Sequence, residues 1–189
     1  RVAAVWTLRQ KDWEGFRAAF VSLLVGTDIR EHVIRAAADR RSQIDRGLLA
    51  PIYSKLDDSN PRVRAAAIVA VARMGDVRAA KRLLELTERT EPALGGEGDA
   101  WRKADPGRVL SHLAVQALVD LKAIDACVEA VGGPHHRGAL EALKRIHDVK
   151  SVDGLFQRLS SSYNPALRGD IWAALIRLYH REGEFTEDS

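Results

Sequence analysis

A helical hairpin over residues 60–88 is the feature that most constrains the fold of this chain. Asn60 precedes Pro61, and this pair can cap and begin a helix, because the missing proline N–H is not needed in the first turn. Gly75 and Asp76 mark the end of the first helix and the start of a second. The apolar residues of the first helix recur at helical spacing, at Val63, Ala66, Ala67, Ala70, Val71 and Met74. A single hairpin cannot bury both of its apolar sides, so further hairpins should stack on it.

A short pattern of small and larger apolar residues recurs along the chain and places the other hairpins. Its clearest copy is AIVAV, which starts at residue 67, and further copies start at residues 4, 33, 114, 139 and 171. Apart from the long gap between 67 and 114, the spacing lies in or near the range of helical-hairpin repeats. Small residues on one face let paired helices approach closely, while Leu, Ile and Val fill the seam between repeats.

The turns that precede the first helix of each pair also repeat. Three of them carry a Pro-x-x-Arg motif, and the turn at Asp28 looks the same without proline; the arginines are Arg30, Arg64, Arg137 and Arg168. In one interpretation, each arginine binds a carbonyl or acidic group of the adjoining repeat, such as Asp28 or Asp58, and fixes the stacking. In the other, the arginines form a basic strip for an anionic partner.

The segment DDSNPRVRAAAIVAVARMGD resembles a HEAT repeat in its turn, its Val-Arg pair, its Ala-rich first helix and its Gly-Asp turn. With the other copies in phase, the resemblance covers nearly the whole chain. It implies an all-α fold, an α-solenoid of about five to six HEAT-like hairpins that forms a single domain over residues 1–189. Second helices usually line the concave face of HEAT arrays, so that face is the expected binding site.

The second half of the chain has a narrower resemblance. AVQALVDLKAIDACVEAV, GALEALKRIHDVKSVDGLFQRL and ALRGDIWAALIRLYHREGEF are similar to the HEAT segment of large exported planctomycete-type proteins, which lies between a dehydrogenase-like propeller and a c-type cytochrome region. This resemblance implies an exported parent protein. It implies no redox activity for this chain, because Cys127 is the only cysteine and the haem motif Cys-x-x-Cys-His needs two. The opening RVAAVWTL looks like the middle of a repeat, so we expect a fragment of a longer protein.

Residues 87–105 form the one irregular stretch and account for the long gap between copies. The stretch is rich in glycine and mixed charges, and it is typical of a long loop between a second helix and the next first helix. Within it, Trp101 stands beside Arg102 and Lys103. Trp101 either packs onto the solenoid and holds the loop, or forms an exposed anchor for a partner; disorder of the loop is the third possibility.

Charge and hydropathy exclude some classes of function. The 29 basic and 26 acidic residues leave a net charge of +3, which is small and scattered, so nucleic-acid binding is not favoured. No apolar run approaches the roughly 18–20 residues of a membrane span. Cys127 lies in an apolar helical run and is expected to be a small buried residue.

No motif for catalysis, a metal or a cofactor occurs in the sequence, including the nucleophile elbow, the zinc-protease motif and the phosphate-binding loop. His135 and His136 are adjacent and would point about 100° apart on a helix, which makes a poor chelating pair. Some HEAT-like proteins are DNA glycosylases that use aromatic residues and a carboxylate, but Asp170 and Trp172 would face different sides of a helix. Trp172 is instead expected in the core or at a cap of the stack.

These observations predict a non-catalytic scaffold that binds protein, either a neighbouring domain or a partner on the concave face. One form of this hypothesis is a structural spacer in a larger exported redox protein, and its mark would be an open, apolar end face. The alternative is a HEAT-like protein that binds nucleic acid, and its mark would be a continuous basic concave face.

Overall fold

The computed structural model describes residues 1–40, 44–88 and 109–179, and every regular element within these ranges is helical. The α-helices are α1 Val2–Lys11, α2 Trp13–Leu23, α3 Arg30–Ala37, α4 Leu49–Tyr53, α5 Pro61–Arg73, α6 Ala80–Leu86, α7 Leu110–Asp120, α8 Ile124–Ala130, α9 His136–Leu143, α10 Val149–Ser161 and α11 Pro165–Tyr179. Short 3-10 turns flank α4 at Arg46–Leu48 and Ser54–Asp57, and another precedes α6 at Val77–Ala79. None of the described helices is long and apolar enough to cross a membrane.

The helices pair as hairpins that stack in order into an α-solenoid. The odd-numbered helices, called first helices below, form one row in which each contacts the next, from α1 through α11. The even-numbered helices, called second helices, pack against that row, and α6, α8 and α10 also contact one another in sequence. The described part of the chain thus contains five hairpins followed by α11. The predicted all-α solenoid of helical hairpins is confirmed.

The core lies between the two rows and follows the sequence pattern. The small residues of the first helices are buried at the seam, namely Ala36, Ala37, Ala66, Ala67, Ala114, Ala117, Ala139 and Ala142. Large side chains from both rows fill the remaining volume, including Phe16, Phe20, Ile34, Ile52, Leu56, Ile68, Leu83, Leu118, Leu143, Leu155 and Ile171. Because alanine adds little width to a helix, the first helices can approach closely while large side chains from both rows supply the bulk of the core.

Local capping explains where the helices begin and end. The Asn60 side chain accepts a hydrogen bond from the Arg62 N–H at 2.9 Å, and Pro61 is the first residue of α5. Gly75 follows α5 with φ of +70°, a left-handed conformation that glycine adopts without a steric penalty. Aspartates cap several second helices or the turns that lead into them, at Asp12, Asp45, Asp76 and Asp148. The predicted boundaries of the hairpin over residues 60–88 are therefore confirmed.

Trp172 was expected either in the core or at a cap of the stack. It does not lie in the core, because nearly half of its surface is exposed on α11, which is the last described helix. The predicted irregular stretch at residues 87–105 lies outside the described residues apart from Thr87 and Glu88, and Trp101 therefore lies outside them as well.

The close packing of α8 and α10 generates a test of the fold. A Cβ atom added at Gly154 would lie 2.5 Å from a Val128 methyl carbon, whereas one added at Gly169 in α11 would meet nothing within 4 Å. Overpacking against a stiff valine should outweigh the gain in helix propensity, so Gly154→Ala should lower the free energy of unfolding by about 1–2 kcal/mol. The control Gly169→Ala should raise it by about 0.5–1 kcal/mol. Urea denaturation followed by circular dichroism measures both; equal effects of the two substitutions would contradict the packing of α8 on α10.

Candidate interaction surfaces

Three turns share a geometry that places three of the four predicted arginines at similar positions. Arg30 donates hydrogen bonds from Nε to the Leu24 carbonyl at 2.7 Å and from Nη2 to the Val25 carbonyl at 3.3 Å. Arg64 donates from Nη1 to the carbonyls of Asp58 at 2.7 Å and Ser59 at 3.3 Å. Arg168 donates from Nη1 to the carbonyls of Leu159 and Ser162. Each guanidinium thus satisfies carbonyls at or just after the end of the preceding second-helix segment, which lack partners within the helix.

Arg30 also joins two repeats. Its Nη1 lies 2.6 Å from Oδ2 of Asp58 in the next turn, and the two side chains are 18% and 5% exposed. The Asp58 carboxylate accepts a second hydrogen bond, from the Asn60 N–H at 3.0 Å. Burial raises the pKa of Asp58, but the hydrogen bonds from Asn60 and Arg30 and the charge of Arg30 outweigh it, so the pKa lies below its ordinary value. Arg1 and Asp28 form the matching contact one repeat earlier, at 3.1 Å on the surface.

Arg137, the fourth predicted arginine, is placed differently. Arg137 is exposed, and no group among the described residues accepts a hydrogen bond from its side chain. Trp101 lies outside the described residues. The structure therefore groups Arg30, Arg64 and Arg168 by their contacts and leaves Arg137 apart from them.

Two further arginines bridge successive repeats, and sequence reasoning did not identify them. Arg9 is buried, donates from Nε to the Ala36 carbonyl at 3.0 Å, and stacks 4.2 Å above the Trp13 ring. Arg158 donates to the carbonyls of Val128 at 2.9 Å and Glu129 at 2.8 Å. In each case the partner carbonyl lies near the end of a helix in a neighbouring repeat, so no motif within a few residues marks the arginine.

The groups that could carry chemistry are scattered. Cys127 is fully buried, as predicted, and burial raises the pKa of its thiol to about 12. Nε2 of His136 lies 3.7 Å from the Asp170 carboxylate. The Trp172 ring contacts the Phe156 ring edge to face, with the ring centroids 6.4 Å apart. Asp170 and Trp172 therefore have different surroundings. Within the described ranges, no group of three or more His, Cys, Asp or Glu side chains could hold a metal ion.

The first-helix row carries a groove of about 440 Å³, which we call the first-helix groove. Residues of α5 and α3 form most of it, and Trp6 of α1 and Leu113 of α7 complete its walls. Its floor is lined by small residues, and its rim carries both arginines and carboxylates; the lining residues are Trp6, Glu31, Arg35, Ala38, Asp39, Arg62, Ala65, Ala66, Val69, Ala70, Arg73 and Leu113. The lining residues come from four successive first helices, α1, α3, α5 and α7, so the groove runs across several repeats of the row.

The second-helix side carries clefts between neighbouring helices. One of about 390 Å³ separates α6 from α8 and is lined by Leu84, Ala126, Ala130 and Pro134 among others. Another of about 570 Å³ lies between α8 and α10 and carries charged residues of both signs, including Asp125, Lys150 and Asp153. These clefts follow the seams between repeats, and neither shows a continuous basic surface.

The last two helices expose an apolar surface, which we call the end face. It consists of Val152 and Phe156 on α10 and Trp172, Ile176 and Tyr179 on α11, around a cavity of about 450 Å³. Phe156 and Trp172 are each 47% exposed, Ile176 is 55% exposed and Tyr179 is 86% exposed. The opposite end of the described stack also exposes two apolar side chains, Val21 and Val25, on a hairpin that carries the ion pair between Glu14 and Arg17.

Comparison with known proteins agrees with this architecture. Residues 17–94 match the family model for HEAT repeats, and this range runs from within α2 through α6. The match supports the HEAT-repeat prediction over that part of the chain. A search of curated proteins found no match.

The Arg30–Asp58 contact generates a prediction about stability and pH. Asp58→Asn should lower the free energy of unfolding at pH 7 by about 2 kcal/mol, because the partly buried guanidinium of Arg30 loses its charged partner. The pKa of Asp58 is lower in the folded chain than its ordinary 3.8. The stabilisation is therefore fully present above about pH 5 and is lost as the pH falls below 4 through the folded-state pKa. Chemical denaturation at pH 7 and pH 3 should show the difference between wild type and variant shrinking at the lower pH.

The matched control is Asp28→Asn, which removes the surface contact with Arg1. Both side chains of that pair are largely exposed, so water and salt screen the contact and its effect should be clearly smaller than that of Asp58→Asn. Equal effects of the two substitutions, or an effect of Asp58→Asn that stays unchanged at pH 3, would contradict a buried ionic contact between the repeats.

Proposed function

We propose that this chain is a non-catalytic HEAT-repeat scaffold whose role is to bind protein. HEAT repeats are typically scaffold or interaction elements, which fits the family match over residues 17–94. The observation that carries the proposal is the end face, an apolar surface on the last described hairpin and α11.

The end face is unusual for the terminus of a helical array. Terminal repeats of a solenoid need a polar outer side, because each repeat otherwise relies on its neighbour to cover its apolar surface. Here Trp172 and Ile176 lie one turn apart on α11 and Phe156 packs beside them, so the apolar side chains form a contiguous patch. Contiguous exposed apolar patches mark protein interaction sites. A folded protein surface that packs against α10 and α11 would cover these side chains.

We further propose that the chain serves as the structural spacer of a larger exported redox protein. The resemblance of its second half to the HEAT segment of planctomycete-type proteins supports this idea. An apolar end face is also the feature that a spacer needs where it joins a neighbouring domain. In this role the solenoid holds its neighbours at a fixed separation and performs no chemistry itself.

The contacts favour a protein partner over nucleic acid. Arg30, Arg64 and Arg168 direct hydrogen bonds to backbone carbonyls, and this use leaves them poorly placed to neutralise phosphates. Glu31 and Asp39 line the first-helix groove among its arginines and would repel a phosphate backbone.

Site-directed photo-crosslinking in the source cells tests the scaffold role. A benzophenone amino acid at position 176 should crosslink to one defined protein surface, and the same group at position 21 should not. Ile176 and Val21 are a matched pair, because both are aliphatic and their exposed fractions are 55% and 63%. The crosslink from position 176 should disappear when Trp172→Glu is added. Equal crosslinking from the two positions, or turnover of a substrate by the purified chain, would overturn the proposal.

Reading the coding sequence on both sides of this chain tests the spacer role separately. A propeller-like stretch upstream and Cys-x-x-Cys-His downstream would support a spacer in an exported redox protein. A start codon and a stop codon close to the ends would contradict it and leave a free-standing scaffold.

A further inference from the structure

We propose that the first-helix groove binds a peptide segment in which an apolar centre is flanked by carboxylates. This inference rests on the proposed function and deepens it, because it names the chemistry of one protein partner and a binding surface separate from the end face. Three observations carry it: the spacing of two arginines on α5, the freedom of those arginines, and the apolar floor between them.

The first observation is the pattern of side chains along α5. Arg62 and Arg73 line the two ends of the groove, and Ala65, Ala66 and Val69 lie between them. Arg62 and Arg73 are eleven residues apart, which is close to three full turns, so both project from one side of the helix about 16 Å apart along its axis. A peptide of about five residues in an extended conformation covers the same distance. The groove therefore offers two cations at a separation that suits one short segment.

The second observation is that the guanidinium groups of Arg62 and Arg73 form few contacts within the chain. The Arg62 side chain is exposed and makes no hydrogen bond or ion pair with any described residue. Arg73 is exposed and makes one long hydrogen bond, to the Ala38 carbonyl at 3.5 Å. Arg35, which lines the same groove, differs because Glu31 holds it at 3.2 Å. Among the described arginines of the groove, the two on α5 are thus the ones without a carboxylate partner, and guanidinium groups bind carboxylates through paired, charge-assisted hydrogen bonds.

The third observation is the floor between the arginines. Ala38, Ala66 and Ala70 are buried, and Trp6 and Leu113 rise on either side of them as apolar walls. This shape accepts apolar side chains at the centre of the segment and excludes water from them.

The opposite wall selects against a uniformly anionic ligand. Asp39 at the end of α3 is exposed, and no ion pair to it occurs among the described residues, so it repels phosphate but can accept a hydrogen bond from a peptide N–H. A peptide can direct its carboxylates towards α5 and its N–H groups towards α3, whereas a nucleic-acid backbone carries a phosphate at every step. The charge arrangement therefore matches an acidic peptide with an apolar centre.

Selection from a displayed library of random eight-residue peptides tests this directly on the purified chain. We expect the enriched peptides to carry Asp or Glu on both sides of an apolar centre. A synthetic copy of the most enriched peptide, labelled with fluorescein, should then bind in a fluorescence anisotropy titration. The same titration with a labelled single-stranded oligonucleotide should show much weaker binding.

Two double variants with the same change in net charge locate the site. Arg62→Ala with Arg73→Ala should weaken peptide binding by about a factor of ten per arginine, because each removes a hydrogen-bonded charge pair. Arg46→Ala with Arg137→Ala removes two exposed arginines elsewhere, and it should leave the affinity within about a factor of two. All four residues are exposed, so both variants should fold, which circular dichroism checks.

Four outcomes would overturn the inference. They are a failure to enrich any peptide, enrichment of peptides without flanking carboxylates, equal losses in the two double variants, and tighter binding of the oligonucleotide through Arg62 and Arg73. In each of these cases the crosslink from position 176 can still form, so failure of the groove is distinguishable from failure of the scaffold role.

Discussion

Close approach of the first helices is the constraint on which the rest of this structure depends. The first helices α3, α5, α7 and α9 each carry a pair of alanines at the seam, such as Ala36 and Ala37 in α3 or Ala66 and Ala67 in α5, and these residues are almost completely buried. Alanine lets two helices pack near the short end of the usual 8–10 Å separation. Such a seam buries little apolar area by itself, so large side chains such as Phe16, Leu83 and Leu155 must complete the core. The hairpin, rather than the single helix, is therefore the unit that can stack.

Short helices also require partners for the carbonyls at their ends, and arginine side chains supply them. A stack of hairpins contains many helix ends, and the last carbonyls of each helix lack partners within it. Leaving such a group buried without a partner costs free energy comparable to a lost hydrogen bond. Arg30 and Arg64 donate hydrogen bonds to carbonyls at the end of the preceding second-helix segment. Arg9 and Arg158 donate to carbonyls of a neighbouring repeat. Backbone carbonyls of one repeat are thus hydrogen-bonded by arginines of an adjacent repeat, which couples neighbours without a contact between distant repeats.

The features that could be predicted from the sequence are those whose cause lies within a few residues. Asn60 and Pro61 begin α5, and Gly75 ends it, because capping and left-handed turns depend on local chemistry. Arg9 and Arg158 could not be found in this way, since their acceptor carbonyls are 27–30 residues away in the chain. Trp172 was expected in the core or at a cap of the stack because tryptophan is usually buried, but burial in the core also requires a helix on the other side, and no described helix covers it. The first-helix groove depends on the distance between α3 and α5, which no single stretch of sequence specifies.

The same argument explains how one array can present two unrelated surfaces. The first-helix groove centres on α3 and α5, and the end face on α10 and α11. Between α5 and α11 the row passes through α7 and α9, so three interhelical steps of 8–10 Å separate the two surfaces by about 25–30 Å. Apart from Ala66, which belongs to the seam and also lines the groove floor, the side chains that form the two surfaces lie outside the seam alanines. Substitutions of the exposed residues on either surface therefore leave the seam intact, and the two surfaces can acquire different partners while the array holds those partners at a set distance.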